Sequence, residues 1–411
     1  MKSIVIKEIS AVDKRYKLKN GAGSDAVHNT STYGYAVCLL KTDSAWQGVG
    51  LAFTLGVGNP LVCESILILA KRLEGKEIHE VMDNFGELFR AMADDPDFRW
   101  LGPHKGVVHL ALAAITNACY DLWAKAQGVP LWRLLLDLPP EALIRTLDFT
   151  YVEDVLSKDE AIQILKDQHA FRPQAEKILT TGYRGYDTSV GWFNYSDDQI
   201  RDNVKRAIAS GFTAMKLKVG SKDPARDIRR AMIVRETAGD SATIMLDANQ
   251  QWSLTDAIRI CRELNAMNPY WIEEPTHPDD VNAHKILADE IAPTRIALGE
   301  HVPNRIIFKN YLQSGSMSFN QADAVRIGGI SEYITISLMS KKFGIPMVPH
   351  VGDMGQIHQH LVLFNHIGVG HESLFLEYIP HLKDYFVNPA IVEGGYYKVP
   401  QEIGMSSDLK E

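Results

Sequence analysis

The chain has 411 residues, 45% hydrophobic and 23% charged, a composition typical of a globular protein with more than one domain. Its net charge of -8 argues against binding to nucleic acid, because an acidic surface repels polyphosphate. The four cysteines form no paired motif, so neither a zinc site nor a disulfide framework is indicated. With no export signal and no apolar run expected to cross a membrane, we expect a cytoplasmic protein without a membrane partner.

The first part of the chain predicts an α+β domain over residues 1–142. Two segments rich in β-branched and aromatic residues, IVIKEISAVDKRY and YGYAVCLLKTD, predict strands. The glycine-containing stretch between them, GAGSDAVHNTST, predicts a loop. The alanine-rich segment VVHLALAAITNACYDLWAKAQG ends at a glycine and predicts a buried helix.

After a mostly helical insertion over residues 143–183, strands and helices alternate over residues 184–376. Strands are predicted at TAMKLKV, ATIMLDA, YWIEE, RIALGE, FNQADAV and IPMVPH. Helical segments separate them, and two of these segments end on glycine directly before the next strand. This alternation predicts a parallel α/β barrel. Residues 377–411 are expected to return to the N-terminal domain.

Six polar residues stand at or near the ends of successive predicted strands, 23 to 29 residues apart. This spacing is close to the roughly 31 residues per unit of an eight-unit barrel of about 250 residues. The carboxyl ends of the strands face the active site in such a barrel, so all six residues are expected to converge there. They are Lys218, Asp247, Glu273, Glu300, Asp323 and His350.

Asp247, Glu273 and Glu300 predict a metal site. A single carboxylate more often pairs with a nearby lysine or arginine, but three in register repel one another unless a cation joins them. Hard oxygen ligands suit magnesium, and no cysteine or histidine joins the trio, which argues against a soft metal. We therefore expect one Mg²⁺ per active site.

Lys216 and Lys218 lie two residues apart on a predicted strand, so both point to the same face. Most lysine pairs with this spacing are solvated surface residues. Inside a barrel, however, the two ammonium groups would lower each other's pKa. A lysine with a pKa of about 7–8 can act as a general base at neutral pH.

His350 and Asp323 are predicted to form a pair opposite the lysines. A carboxylate bonded to one imidazole nitrogen fixes the tautomer of the ring and raises its basicity. The alternative is a structural histidine. Four histidines further along the chain are interpreted as helix-surface or packing residues, namely His358, His360, His366 and His371.

Six motifs in chain order resemble the enolase superfamily, in its mandelate-racemase branch. They are KLKVG, LDANQQW, WIEEP, GEH, DAVRIGG and VPHVG. GSDAVHN and GWFNYSDDQI, among other segments, extend the resemblance to acid-sugar dehydratases of this branch, over nearly the whole chain. The resemblance implies a fold of the α/β class, a (β/α)7β barrel (modified TIM barrel) with an α+β capping domain. Barrels of this kind often associate, so a homo-oligomer is expected.

The resemblance also implies a role for each matching residue. The three carboxylates match magnesium ligands, Lys218 matches the base on the strand, and Lys216 matches the residue that binds the substrate carboxylate. His350 and Asp323 match a catalytic dyad. The other residues implied in substrate binding are Gly23, Ser24, Asp25 and Tyr33 of a capping loop and its edge, with Asn249 and Glu377. After VPHVG, the segment DMGQIHQHLVLFNHIG departs from the small-residue stretch of the family pattern.

The implied reaction removes the proton next to the carboxylate of a sugar acid and then expels the 3-hydroxyl, which gives a 2-keto-3-deoxy acid. L-Fuconate is the expected substrate, with L-galactonate or another acid sugar as alternatives. A racemase or epimerase with the same metal and bases would return the proton on the other face and lose no water. A cycloisomerase and a non-catalytic sugar-acid-binding protein are further alternatives, although the complete set of bases and acids argues against the binding protein.

Overall fold

The computed structural model describes residues 3–29 and 32–411, so residues 30 and 31 of the predicted loop lie outside the described residues. The N-terminal domain opens with the strands β1 (Ile6–Lys17), β2 (Thr32–Thr42) and β3 (Gln47–Thr54). They form an antiparallel sheet in that order. β1 and β2 lie where the sequence predicts strands. β3 was not predicted.

Helices pack on this sheet and complete the capping domain. They are α1 (Asn59–Ala70), α2 (Ile78–Asp83), α3 (Phe85–Ala93), α4 (Pro96–Arg99), α5 (Gly106–Gln127), α6 (Leu131–Asp137) and α7 (Pro140–Arg145). α5 is the predicted buried helix, and it lies directly on β3. A Cβ at Gly48 or Gly50 would collide with the α5 backbone, so these two glycines allow the close approach.

α5 is long and apolar enough to cross a membrane, although the sequence analysis expected no such segment. In the structure, 89% of its apolar window is buried inside the protein. α5 packs mainly against β3 and α1. These contacts are those of a core helix.

The insertion and the barrel come next along the chain. The insertion holds α8 (Lys158–His169), α9 (Arg172–Ala175) and α10 (Ile178–Thr181). The barrel strands are β4 (Tyr183–Gly191), β5 (Ala214–Lys218), β6 (Thr243–Asp247), β7 (Trp271–Glu273), β8 (Ile296–Leu298), β9 (Phe319–Asn320) and β10 (Leu376–Tyr378). Its helices are α11 (Asp197–Ala209), α12 (Pro224–Ala238), α13 (Leu254–Leu264), α14 (Val281–Ile291), α15 (Arg305–Ser314), α16 (Ile330–Lys342) and α17 (His358–Phe364).

The parallel strands are arranged as a barrel. β4 to β9 pair in chain order, and β10 returns to pair with β4. Eight buried side chains form a cluster separate from the main core, and each comes from a different barrel segment. They are Tyr186, Ala214, Met245, Trp271, Ala297, Phe319, Val348 and Phe375. Such a cluster is an interior layer of an eight-stranded barrel, so the predicted (β/α)7β barrel with a capping domain is confirmed.

Two predicted strands are shorter than expected. The segment IPMVPH contributes only a single parallel bridge, between Met347 and Asn320. The segment FNQADAV contributes only the two residues of β9, because the chain turns directly after it. The Asn320 side chain accepts a hydrogen bond from the Ala322 N–H (3.0 Å), and the Asp323 side chain accepts one from the Val325 N–H (2.8 Å).

The C-terminal segment contacts both domains. The predicted boundary between residues 376 and 377 falls inside β10, and the hairpin of β11 (Val392–Glu393) and β12 (Tyr396–Tyr397) pairs with β4. Beyond it, the Met405 N–H donates to Asp121 of α5 (2.9 Å). The Ser407 hydroxyl donates to the Val49 carbonyl of β3 (2.8 Å). The end of the described chain therefore returns to the capping domain.

A buried ion network joins the capping domain to the barrel. Glu332 of α16 lies 2.6 Å from the His109 ring of α5 and accepts from the Arg305 backbone N–H at 2.8 Å. The Arg305 guanidinium contacts both Glu332 (3.2 Å) and Asp148 (2.5 Å). Although burial favours the neutral acid, His109 and Arg305 hold the pKa of Glu332 below its ordinary value.

We predict that Glu332→Ala lowers the free energy of unfolding by about 3–5 kcal/mol, because Arg305 would keep a buried charge with one partner fewer. Denaturant unfolding measures this change. Glu290→Ala is the control, because Glu290 pairs with Arg262 on the exposed surface and such pairs contribute at most about 1 kcal/mol. Equal losses in the two variants would contradict the prediction.

Candidate active site

The barrel topology brings the predicted acids and bases to one edge. Lys218, Asp247 and Glu273 are the last residues of β5, β6 and β7, and they are paired neighbours across the sheet. Glu300 comes two residues after the end of β8. Because parallel strands end at the same side of a barrel, these side chains meet at its carboxyl end.

Asp247, Glu273 and Glu300 converge as predicted. Each offers one oxygen within 4.8 Å of the oxygens of the other two. Glu273 is held in place by the Gln321 amide (2.8 Å) and the Trp271 indole N–H (3.1 Å). Oε2 of Glu300 is buried and has no hydrogen-bond partner among the described residues. Three hard oxygen ligands, one of them with an unused atom, fit a divalent cation such as Mg²⁺.

A second cluster of acids and histidine shares Glu300 and includes Glu274 and His301. Its groups are already engaged with one another. The Glu274 carboxylate lies 3.0 Å from the His301 ring and accepts from the Gln250 amide. The trio offers three carboxylate oxygens, the ligands that Mg²⁺ prefers, whereas this cluster offers two carboxylates and an imidazole.

The two lysines lie inside the barrel, as predicted, and both contact carboxylates. Lys218 Nζ lies 2.5 Å from Asp247, and Lys216 Nζ lies 2.6 Å from Glu273 and 2.9 Å from Glu377. Lys216 is completely buried. Four carboxylates, those of Asp247, Glu273, Glu300 and Glu377, thus surround two ammonium groups.

The expectation of a lowered lysine pKa is wrong for this arrangement, although Lys216 does act on the pKa of Lys218 in the expected direction. Burial disfavours the ammonium form, but Asp247 outweighs burial and raises the pKa of Lys218 above its ordinary value. Glu273 and Glu377 likewise raise the pKa of Lys216. The reason is the excess of carboxylates, which the spacing of the lysines alone does not reveal.

His350 and Asp323 form the predicted pair. Nδ1 of His350 lies 2.6 Å from Asp323 Oδ2, which also accepts from the Gly352 N–H (3.0 Å). Nε2, on the opposite side of the His350 ring, lies 3.5 Å from Glu300. Burial lowers the basicity of the ring, but Glu300 and Asp323 outweigh it and raise the pKa of His350 to about 9.

A cavity of about 260 Å³ lies between the barrel mouth and the capping domain. The barrel contributes Lys218, Glu300, His350 and Glu377 to its wall. Lys218, His350 and Glu300 therefore face the same space. A small polar molecule in this space would contact all three.

Not all residues that the resemblance implied in substrate binding lie on this wall. Asp25, Tyr33 and Glu377 line the cavity, whereas Lys216, Gly23, Ser24 and Asn249 do not. Ser24 instead shapes the loop, since its hydroxyl donates to the Gly21 carbonyl (2.6 Å) and accepts from the Asn194 N–H (3.0 Å).

Gly23 and Asn249 act through their backbones. Gly23 has a φ of 74°, and a Cβ there would lie 2.6 Å from Leu18 and 3.1 Å from the Tyr33 ring. The Asn249 N–H donates to Asp247 (3.0 Å), so it orients this carboxylate, while its own Oδ1 has no partner in the described part of the chain.

The sequence analysis missed six polar or aromatic residues of the cavity wall. They are His28, Phe53, Thr54, Trp192, His301 and Arg326. The His28 ring lies 2.9 Å from Asp25 of the same motif, and the Trp192 ring faces Lys218 Nζ at 5.7 Å. His301 comes directly after Glu300 in the motif GEH, so its place next to a predicted metal ligand could have identified it as a cavity residue.

Comparison with known proteins places the chain in a family. Residues 199–411 match the family described as enolase C-terminal domain-like. The chain belongs to the enolase superfamily. It is 38% identical to the L-galactonate dehydratase of Hypocrea jecorina, with 100% of this chain and 93% of that protein covered. It is 28% identical to the L-talarate/galactarate dehydratase of Salmonella typhimurium, with 78% of this chain and 68% of that protein covered.

Solved structures agree with this assignment. The crystal structure of human mitochondrial enolase superfamily member 1 matches with a TM-score of 0.97 and 38% identity, over 99% of this chain and 95% of that one. The fold is also shared with the Salmonella typhimurium L-talarate/galactarate dehydratase solved with Mg and L-lyxarohydroxamate, at a TM-score of 0.79 and 24% identity. That match covers 100% of this chain and 92% of that one.

We predict that Glu273→Gln weakens the binding of added Mg²⁺ by at least about 10-fold, because it removes one charged ligand of three. Glu274→Gln is the matched control, since this neighbouring carboxylate belongs to the other cluster, with His301. Titration calorimetry measures both affinities. Loss of affinity in Glu274→Gln with retention in Glu273→Gln would place the metal in the other cluster.

Proposed function

We propose that this protein is a magnesium-dependent dehydratase of acid sugars. It removes the proton alpha to the substrate carboxylate and eliminates the 3-hydroxyl, which gives a 2-keto-3-deoxy acid. The observation that carries the proposal is that Lys218, His350 and Glu300 face one cavity beside three convergent carboxylates. Enolase-superfamily sites are known to combine a Lys or His base with one or two magnesium ions, and the proposal takes this pattern from the family.

Asp247, Glu273 and Glu300 would hold the metal ion. When bound, it supplies positive charge next to the substrate carboxylate, where negative charge builds up as the alpha proton leaves. The charges of the site support a bound cation, because its four carboxylates outnumber its positive groups, namely the two ammonium groups and the protonated His350 ring, by one. Lys216 adds a further positive charge below the cavity.

Lys218 takes the alpha proton in this proposal, in its neutral form. A divalent ion held by Asp247, Glu273 and Glu300 would offset the carboxylate charge that raises the pKa of Lys218 and would so favour the neutral amine. Nζ of Lys218 is the lysine nitrogen on the cavity wall, whereas Lys216 is completely buried behind it. The Trp192 ring covers one side of Lys218 and limits its access to water. A base in this position can remove a proton only from a molecule that fills the cavity.

His350 serves the second half of the reaction. Asp323 holds its Nδ1, so Nε2 is the nitrogen that exchanges a proton with the substrate. Elimination is syn if Lys218 returns its proton to the leaving 3-hydroxyl, and anti if His350 supplies that proton. In both cases Lys218 starts the reaction and His350 acts at a later step.

Acid sugars of the L-galacto configuration are the proposed substrates, with L-galactonate first. The relative that covers the whole chain at 38% identity is named an L-galactonate dehydratase. L-Fuconate has the same configuration and lacks only the 6-hydroxyl, so it presents the same reacting atoms. The capping domain contributes both polar (Asp25, His28) and apolar (Phe53, Leu55) side chains to the cavity. We propose that they contact the end of the chain where the two substrates differ.

We predict that a library of acid sugars incubated with the protein and Mg²⁺ gives a 2-keto-3-deoxy acid from L-galactonate and L-fuconate. The semicarbazone of the product detects the reaction. An epimerised acid without keto product would indicate the racemase or epimerase alternative. A library that stays unchanged in every well would overturn the proposal.

We predict that Lys218→Ala abolishes exchange of the alpha proton with deuterated water, because the variant lacks the base that removes this proton. His350→Asn should stop turnover and keep the exchange, because Lys218 is intact. NMR of the alpha position measures both. Exchange that persists in Lys218→Ala and disappears in His350→Asn would reverse the two roles.

A further inference from the structure

The segment after His350, which departs from the family pattern, carries a second carboxylate–imidazole pair. Asp353 and His358 are both completely buried. The His358 ring lies 2.7 Å from the Asp353 carboxylate through Nδ1. The sequence analysis interpreted His358 as a helix-surface or packing residue, and its burial excludes the surface position.

This pair contacts the Asp323–His350 dyad from behind. Nε2 of His358 accepts a hydrogen bond from the Ala324 N–H at 2.9 Å and lies 3.4 Å from Oδ1 of Asp323. The other oxygen of Asp323 contacts His350 at 2.6 Å. The buried groups thus form one continuous row, from Asp353 through His358 and Asp323 to His350.

Asp353 is itself fixed by the backbone. Its carboxylate accepts hydrogen bonds from the N–H groups of Gly355 (3.0 Å), His358 (3.1 Å) and Ile357. Because Nε2 of His358 accepts from the Ala324 N–H, the neutral ring carries its proton on Nδ1 and donates it to Asp353. The ring therefore has one defined tautomer and one defined orientation.

A histidine that only fills space has weaker contacts, as His360 of the same helix shows. It is also completely buried, but its ring nitrogens lie 3.4 Å from the Trp132 N–H and 3.4 Å from the Ser406 hydroxyl. It has no carboxylate partner among the described residues. The short contact to Asp353 distinguishes His358 from it.

We infer that Asp353 and His358 are positioning residues that hold Asp323, and through it His350, in the orientation needed for the second half of the reaction. His358 fixes the peptide directly after Asp323 and limits the movement of its carboxylate. The inference rests on the proposed function, because it assigns the pair to the step of His350 and not to that of Lys218.

The test compares two rates in His358→Gln and Asp353→Asn, with His360→Gln as the matched control. We expect keto acid formation to fall by about 10- to 100-fold in the first two variants, as for other supporting partners of this kind. Exchange of the alpha proton should stay close to the unmodified protein, because Lys218 is unaffected. The double variant should lose no more than either single variant, since the two residues act as a pair.

A second measurement does not depend on activity. In proton NMR of the folded protein, the low-field signal of the His350 Nδ1–H should shift in His358→Gln and Asp353→Asn and stay in place in His360→Gln. His350→Asn assigns the signal, because it removes it. If the protein acts on no acid sugar, the proposed function fails. The His350 Nδ1–H signal still shows whether Asp353 and His358 influence the Asp323–His350 contact.

Two results would overturn the inference. One is an unchanged ratio of keto acid formation to proton exchange in both His358→Gln and Asp353→Asn. The other is an unchanged His350 signal in both variants. If one of the two variants fails to fold, the other one carries the test, because each substitution alters the contact between Asp353 and His358.

Discussion

An excess of buried negative charge at the carboxyl ends of the barrel strands is the constraint on which the site depends. Carboxylates that lie this close destabilise the fold unless positive charge balances them, and Lys216 and Lys218 balance only part. The remaining negative charge favours a small, hard cation, and that cation would in turn attract the carboxylate of a substrate. Away from these charges, the barrel interior is filled by a separate cluster of eight buried side chains, one from each barrel segment.

The capping domain closes the other side of the cavity, and its position depends on buried polar contacts with the barrel. Glu332 contacts both His109 of the capping helix and Arg305 of the barrel, so the two domains share one charge network. The Asn117 side-chain amide donates a hydrogen bond to the carbonyl of Ala324 (3.0 Å), and Ala324 is the residue directly after Asp323. The placement of the domain is thus coupled to the loop that carries the dyad.

The sequence predicted the barrel, its capping domain and the convergence of the six polar residues, because barrel strands repeat at a regular spacing and end in polar residues. It did not predict β3 or β4, since glycines and polar residues in both strands hide the usual pattern. Nor could it predict the raised pKa of Lys218, which depends on how many carboxylates the tertiary structure collects. Ser24 was assigned to substrate by resemblance, although in the structure its hydroxyl holds the loop together.

The segment from residue 351 to 357 lines the cavity and also supports the Asp323–His350 dyad. Val351, Gly352 and Met354 line the cavity, while Asp353 between them turns away to hold His358. Met354 has a φ of 58°, a left-handed conformation that is unfavourable for a residue with a side chain and that persists only where neighbouring contacts enforce it. The hydrogen bond from the Tyr35 hydroxyl of the capping domain to the Gly352 carbonyl is one such contact. A change of sequence in this segment therefore alters the shape of the cavity and the support of Asp323 together. Among relatives that differ in this segment, we expect substrate choice and the second half of the reaction to vary jointly.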